Sequence, residues 1–534
     1  MSAASGAAAA PAESPAVPLF VAPMVAMAAF MEVLDLSIAN VALPHIAGNL
    51  SVTQNQATWV LTSYLVANAI VLPMSGWLSA VLGRKRFYMM CIAGFGLSSL
   101  LCGMAPNLPM LIIFRTLQGL TGGGLQPSSQ AILADSFPPA KRGMAFAAYG
   151  MAVVFAPAIG PTLGGWITDN FTWHWIFLIN VPVSLLLFSL TQVLISDPEH
   201  VVAAREARRS RGIRLDYLGF ALLALGLGGL QLMLDKGQEE DWFASHMITA
   251  AAVVAVVCLT TFVVREWYSE DPLVDLRLLR RPNFAIANVL MFMLGFILLG
   301  STALLPLFVQ SLLGYTAMDA GLVISPGGFL IMFMMPVVGR LVAKVDNRYL
   351  IAFGLCVGAI GLFLASRFTL TVDYWTIAGA RAVQAVGLAF LFIPINSVAY
   401  VGIPPERNNY ASALINLSRN LGGSVGIALL VTLLARNAQE NRVHLVAHVS
   451  AYDHPYREVL SRLTGHLVAG GANAMEATKV ATATLAGIVQ QQAQLLAFLH
   501  DFRLLGAVFL VLLPLLFLMR LPKTPMGGGP GGGH

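Results

Sequence analysis

Apolar residues run in long, nearly unbroken stretches along this chain, and charged residues gather between them. Fourteen stretches stand out, at roughly 19–43, 57–80, 87–105, 108–132, 143–168, 173–195, 215–234, 246–265, 284–311, 318–342, 349–367, 374–399, 408–434 and 500–519. Each is close to or above the roughly 20 residues an α-helix needs to cross a bilayer. Lipid offers backbone groups no partner, so each stretch predicts a helix. A membrane barrel would need alternating segments of about ten residues; these are too long and too uniformly apolar. The pattern predicts an all-α membrane protein with 14 transmembrane helices.

Loop charges predict the orientation. Connections after even-numbered segments carry Arg84-Lys85-Arg86, Lys141-Arg142, the basic run from Arg205 to Arg214, Arg265, Arg277, Arg280, Arg281, Arg340, Lys344, Arg348 and Arg407. The end of the chain adds Arg520 and Lys523. The short connections on the other side hold only Lys236 and Arg367. The positive-inside rule then places both termini of a multi-pass membrane protein in the cytoplasm. The polar segment 435–499 falls outside, is long enough to escape the rule, and contains a candidate amphipathic helix near 475–499. It reads either as a tolerated insertion or as a docking surface for an external partner.

The chain also repeats itself at an offset of 263–266. Gly76 to Lys85 resembles Gly339 to Arg348. Arg115-x-x-Gln118-Gly119 resembles Arg381-x-x-Gln384-Ala385, and Pro138-Pro139-Ala140-Lys141-Arg142 resembles Pro404-Pro405-Glu406-Arg407. Segments 2, 4 and 5 thus match segments 10, 12 and 13, with the same in–out direction. Two six-helix parallel repeats plus an inserted helix pair are predicted, the arrangement of major-facilitator-type transporters with a site between the halves. The expected parts are a disordered tail 1–18, an N-terminal six-helix bundle 19–200 and a linker 201–274 with two extra transmembrane helices. A C-terminal bundle 275–534 follows, including the outer loop 435–499 and a Gly-rich tail.

Composition agrees. The chain has 534 residues, 57% of them hydrophobic and 11% charged, against about 25% charged in soluble domains. A soluble core and a long disordered chain are both excluded. The net charge of +5 sits in short loops, so it marks topology and not a nucleic-acid surface. Cys91, Cys102, Cys258 and Cys356 lie in or beside apolar runs, which argues against a disulfide framework or a metal site.

Glu32 and Asp35 are the acids near mid-membrane, three residues apart in the first segment. A carboxylate there is costly and is a functional candidate by default. Asp35 lies eight residues from Leu43, and Arg115 lies seven from Leu108. At about 1.5 Å per residue, both sit roughly 10–12 Å below the outer surface, so they can meet. Asp35, Glu32 and Arg115 are the candidates for proton coupling. A cavity between the halves is expected to be lined by Asp35, Asn40, Gln118, Gln126, Gln384 and Asn396.

Small residues and prolines point to seams that slide. Gly119, Pro157, Gly160, Pro161, Gly164 and Gly165 allow close or kinked helix contacts. Gly76, Gly83 and Arg84 mark a cytoplasmic latch. Arg419 and Arg381 have no obvious acidic partner. There is no nucleotide loop, metal cluster or nucleophile triad, so no cofactor is expected; energy is expected from a gradient or from the substrate's own. The chain reads as a transporter and not an enzyme.

Leu34-Asp35-x-x-Ile38-Ala39-Asn40-Val41-Ala42-Leu43-Pro44, Arg115-x-x-Gln118-Gly119 and Gly160-Pro161-x-x-Gly164-Gly165 together resemble the fourteen-helix drug:proton antiporters of the major facilitator superfamily. Further runs resemble the EmrB-like multidrug exporters of that family: Phe30 to Pro44, Pro138 to Arg142, Asp169-Asn170-x-x-Trp173-x-Trp175, and Met233 to Phe243. The resemblance implies proton-coupled multidrug efflux from a bacterial inner membrane. It also implies a tripartite system with an EmrA-like membrane-fusion adaptor and a TolC-like outer-membrane channel. Two departures stand out. Ala80 replaces an acid of the family's loop motif, which weakens the latch. Glu32 is not part of the family motif, and its charge should favour cationic substrates. A dedicated exporter of one metabolite, such as a fatty acid or siderophore, and a non-transporting interaction or sensor protein are the competing readings.

Overall fold

The computed structural model describes residues 18–197, 201–202, 205–206, 216–447, 449 and 452–519. The Ala/Pro/Ser-rich start, the Gly-rich end and the basic stretch 207–215 lie outside the described residues. No strand occurs among the described residues.

Seven helices make the N-terminal group: α1 (Pro18–Asn49), α2 (Trp59–Leu82), α3 (Arg84–Cys102), α4 (Leu108–Gly122), α5 (Leu125–Ser136), α6 (Pro139–Asn170) and α7 (Asn180–Leu194). The inserted pair is α8 (Tyr217–Lys236) and α9 (His246–Tyr268). The C-terminal group is α10 (Pro282–Leu313), α11 (Ala317–Leu341), α12 (Asn347–Ala365), α13 (Tyr374–Ala399) and α14 (Asn408–Ala447), with α15 (His454–Ala469) and α16 (Ala474–Val511).

Each apolar stretch coincides with helix. Among the described residues, eleven helices are individually long and apolar enough to cross a membrane, and α6 makes a twelfth although bent by 48° at Pro157–Ile159. The expected count of fourteen is not reached by that measure. Two stretches fall short for local reasons. Arg84, Lys85 and Arg86 open α3, and the fourth stretch is divided between α4 and α5 at Gly123–Gly124.

Polar residues outside the apolar stretches start the helices. Asn107 accepts a hydrogen bond from the Met110 amide at the head of α4, and Asp373 does the same for Thr376 at the head of α13. These side chains satisfy backbone donors that the helix leaves open.

Two seams join the groups: α6 against α11, and α2 against α14. These are the repeat mates in crossed order, as a parallel pseudo-twofold demands. At the end carrying the basic loops the seams are tight. A Cβ on Gly143 would come within 2.7 Å of the Gly339 carbonyl oxygen, and one on Gly76 within 3.0 Å of Tyr410 Cα. Asn416 donates to Gln130 Oε1 at 2.8 Å across the same end.

The inserted pair braces this arrangement. Asp235 on α8 accepts from Thr62 of α2. Ser424 of α14 donates to Gln231 of α8 at 3.0 Å, and Trp242 donates to Thr432 of α14 at 3.1 Å.

The segment 435–499 holds the helix expected near 475–499 and further helix besides. Residues 435–447 continue α14, residues 474–499 open α16, and α15 lies between them. At 40 residues, α14 is about 60 Å long, roughly twice the hydrocarbon thickness of a bilayer.

Candidate functional site: a sealed ion pair beside a cavity between the halves

Helix α1 lies between α6 and α7 and presents two carboxylates three residues apart. They face different surroundings.

Asp35 is sealed. Its side chain and that of Arg115 are both 0% exposed. Arg115 Nη1 donates to Asp35 Oδ2 at 2.5 Å and to Gln118 Oε1 at 2.8 Å, while Nε donates to the Val60 carbonyl at 3.1 Å. Asp35 Oδ1 accepts from Gln118 Nε2 at 3.0 Å and from Asn180 Nδ2 at 2.7 Å. Both amides also donate to Ser99 Oγ at 3.0 Å. The Tyr64 ring lies 4.4 Å from the guanidinium carbon. A buried ion pair repays its desolvation only when such hydrogen bonds complete it. Here one donor is left over: Arg115 Nη2 has no partner.

The approach of α4 to α2 makes this possible. A Cβ on Gly119 would stand 2.4 Å from the Tyr64 carbonyl oxygen. Only glycine permits that spacing, and it holds Arg115 against the Val60 carbonyl.

Glu32 faces a cavity of about 130 Å³ between the halves, lined chiefly by apolar side chains together with Asn68, Gln126, Gln231, Arg419 and Ser424. Glu32 Oε1 accepts from Asn68 Nδ2 at 3.0 Å, and Oε2 has no hydrogen-bond partner. Arg419 of α14 donates to Gln126 and lines the same cavity as Glu32. The cavity thus carries one acid and one base, supplied by opposite halves. This changes the expectation that Glu32 alone sets the charge preference.

The predicted cavity residues therefore separate. Gln126 lines the central cavity. Asn40 lines a second cavity of about 310 Å³ toward the outer end, between α1, α6, α10 and α11. Asp35 and Gln118 line neither, because they are committed to the buried pair. Gln384 belongs to a separate cluster around Arg381. Asn396 is buried and donates to the Phe392 carbonyl of its own helix at 2.8 Å. Spacing identified polar residues on membrane helices, but the cavity face depends on helix rotation.

The latch residues come together at the basic end. Gly83 adopts φ +90°, and a Cβ there would meet Asp197. Arg84 pairs with Asp135 of α5; both side chains are at most 5% exposed. Asp135 thus supplies an acid to the loop where Ala80 does not. In α6, Gly160 packs on Ser37 and Gly164 on Ile38. Pro161 and Pro157 line the outer cavity. Gly165 has nothing within 4 Å of where a Cβ would be, so it is not part of the seam.

Sequence reasoning missed Asn180, Ser99, Asn68 and Gln231. Each is an ordinary polar residue within an apolar stretch. Their only signal was that a buried polar group in lipid needs a partner.

The comparisons with known proteins follow this geometry. A family model of the Major Facilitator Superfamily matches residues 25–427. The chain is 37% identical to the multidrug export protein EmrB of Escherichia coli K12, over 95% of this chain and 96% of that one. It is 37% identical to the fatty acid resistance protein FarB of Neisseria gonorrhoeae, over 94% and 96%. It is 31% identical to the colistin resistance protein EmrB of Acinetobacter baumannii, over 90% and 92%. Among solved structures, the human organic anion transporter MFSD10 (TETRAN) superposes with a TM-score of 0.59 at 14% identity, covering 94% of this chain and 100% of that one. The proton:xylose symporter XylE gives 0.56 at 16% identity, covering 81% and 90%. These two likenesses are of fold alone. The end-to-end identity to the curated relatives goes further, and this chain belongs to the major facilitator superfamily, in its EmrB-like group of exporters.

Proposed function

We propose that the chain is a proton-coupled antiporter that exports amphipathic, largely hydrophobic compounds across a bacterial inner membrane. The sealed Asp35–Arg115 pair beside an apolar cavity carries this reading. Neutralising Asp35 by a proton would leave the Arg115 guanidinium buried without its counter-ion. Losing one member of a buried pair costs about 3–5 kcal/mol. A proton can therefore stay on Asp35 only if α4 or α1 shifts so that Arg115 finds water or another partner. That shift would move the helices that meet the cavity and its seams, coupling proton uptake to substrate release. The relatives named for multidrug export and colistin resistance favour broad substrates.

A second reading is export of fatty acids. It draws on Arg419, a cation inside the cavity, and on the relative named for fatty acid resistance. In either case we place the chain as the pump of a tripartite system, with an EmrA-like adaptor and a TolC-like channel. The helical projection formed by α14, α15 and α16 is the surface offered to the adaptor.

The test uses proteoliposomes with an imposed pH gradient. A lipophilic cationic dye should drive proton movement in the native protein and none in Asp35→Asn. Undiminished dye-driven proton movement in Asp35→Asn would rule out coupling at this residue.

A further inference from the structure

The two halves differ at one buried arginine. In the first half Arg115 has Asp35 as counter-ion and Gln118 beside it. An offset of 266 from these residues leads to Arg381, Ser301 and Gln384. These three assemble in the same way. Arg381 Nη1 donates to Ser301 Oγ at 3.1 Å and to Gln384 Oε1 at 2.8 Å, and Gln384 Nε2 donates to Ser301 Oγ at 2.9 Å. The arrangement is kept, but a hydroxyl stands where the first half has a carboxylate. Arg381 Nη2 completes the set by donating to Thr302 Oγ1 at 3.0 Å.

Arg381 is only 7% exposed. Among the described residues its hydrogen-bond partners are all neutral: Ser301, Thr302 and Gln384. Arginine keeps its charge at physiological pH. Hydroxyl and amide dipoles replace part of its hydration, but they do not neutralise it.

One space adjoins Arg381 and a second adjoins its partner Thr302. One is a pocket of about 10 Å³ lined in part by Ser301, Arg381, Gln384, Phe368 and Phe502, near the least that holds a water-sized body. The other is the outer cavity of about 310 Å³, whose wall includes Thr302. One hydroxyl therefore separates Arg381 from the outer cavity. That hydroxyl also donates to the Leu298 carbonyl of its own helix at 2.7 Å. A rotation about the Thr302 χ1 would break that bond and carry the hydroxyl away from the guanidinium.

We propose that Arg381, Ser301, Thr302 and Gln384 form a binding site for one monovalent anion, reached from the outer cavity. The anion is a halide or the carboxylate head of an amphipathic molecule. This site goes beyond the antiport reading and stands whether or not the chain couples to protons.

Thermal unfolding of the purified full-length protein tests it, in a buffer whose only anion is a bulky sulfonate. Bromide, octanoate or octanol is then titrated in. A ligand that binds only the folded state raises Tm, so the native protein should show a saturable rise of at least about 2 °C with an anion. Octanol controls for the alkyl chain. Saturation by bromide alone assigns an inorganic ion; saturation by octanoate but not octanol assigns a carboxylate head. Arg381→Gln should abolish the response. Ser301→Asp restores the acid of the first half, so it should also abolish the response while raising Tm in the sulfonate buffer. Should Arg381→Gln fail to fold, Ser301→Asp still decides. Absence of a saturable rise in the native protein with either anion, or an undiminished rise in Ser301→Asp, overturns the site.

Discussion

Asn408 donates its side-chain amide to Asp135 Oδ1 at 2.5 Å, across the seam between the two halves. The other oxygen of Asp135 takes Arg84. One carboxylate therefore ties the start of α3, the end of α5 and the start of α14. Asp135→Asn should leave Arg84 buried without a counter-ion and loosen this end. The expected cost is about 3–5 kcal/mol, read as a fall in Tm. Cysteines placed along the seam should also label faster from the end that carries the basic loops. Unchanged labelling would show that the bond is not a gate.

The presence of Glu32 and Arg419 in one cavity predicts opposite effects of their neutralisation on a cationic ligand. Glu32→Gln keeps the hydrogen bond to Asn68 but removes the negative charge, so affinity for a lipophilic cation should fall roughly tenfold. Arg419→Gln removes the opposing charge and should raise it. Dye binding to detergent-purified protein measures both. Weaker cation binding in Arg419→Gln would contradict an electrostatic role for that residue.

Glycines of the two motifs should differ in tolerance. Gly119→Ala places a methyl 2.4 Å from a backbone oxygen, and overpacking of this kind costs about 1–3 kcal/mol. Gly165→Ala meets nothing within 4 Å and should leave Tm and transport unchanged. Paired Tm and efflux measurements on the two variants check this.

Helix α8 should move with α2 and slide on α14. It is held to α2 by Asp235–Thr62 and through the buried Lys236, which donates to Asn55 at 3.3 Å and to Thr58. Its hold on α14 includes Gln231–Ser424 at 3.0 Å, at the edge of the cavity. A disulfide between Gln231→Cys and Ser424→Cys should stop transport, and reductant should restore it. Full transport in the oxidised protein would mean that α8 and α14 travel together.

Much of this protein is legible along the chain because lipid acts locally. An apolar stretch long enough to span must be helical whatever lies beside it, so the positions of the helices follow from hydropathy. The repeat at 263–266 predicts which helices are equivalent. Equal depth in the membrane makes Asp35 and Arg115 candidates for contact. Tertiary structure alone decides which way a side chain on a given helix turns. Asp35 and Glu32 are one helical turn apart, yet one is locked against α4 and the other opens on the cavity. Arg419 joins Glu32 in the lining of one cavity, and Asp135 pairs with Arg84, through contacts between helices far apart in sequence. Those contacts rest on glycine spacings and helix rotations, such as the approach of Gly119 to Tyr64. Hydropathy reports depth and length but carries no information about rotation around a helix axis. The fold class could therefore be read residue by residue, whereas the site had to be assembled from both halves.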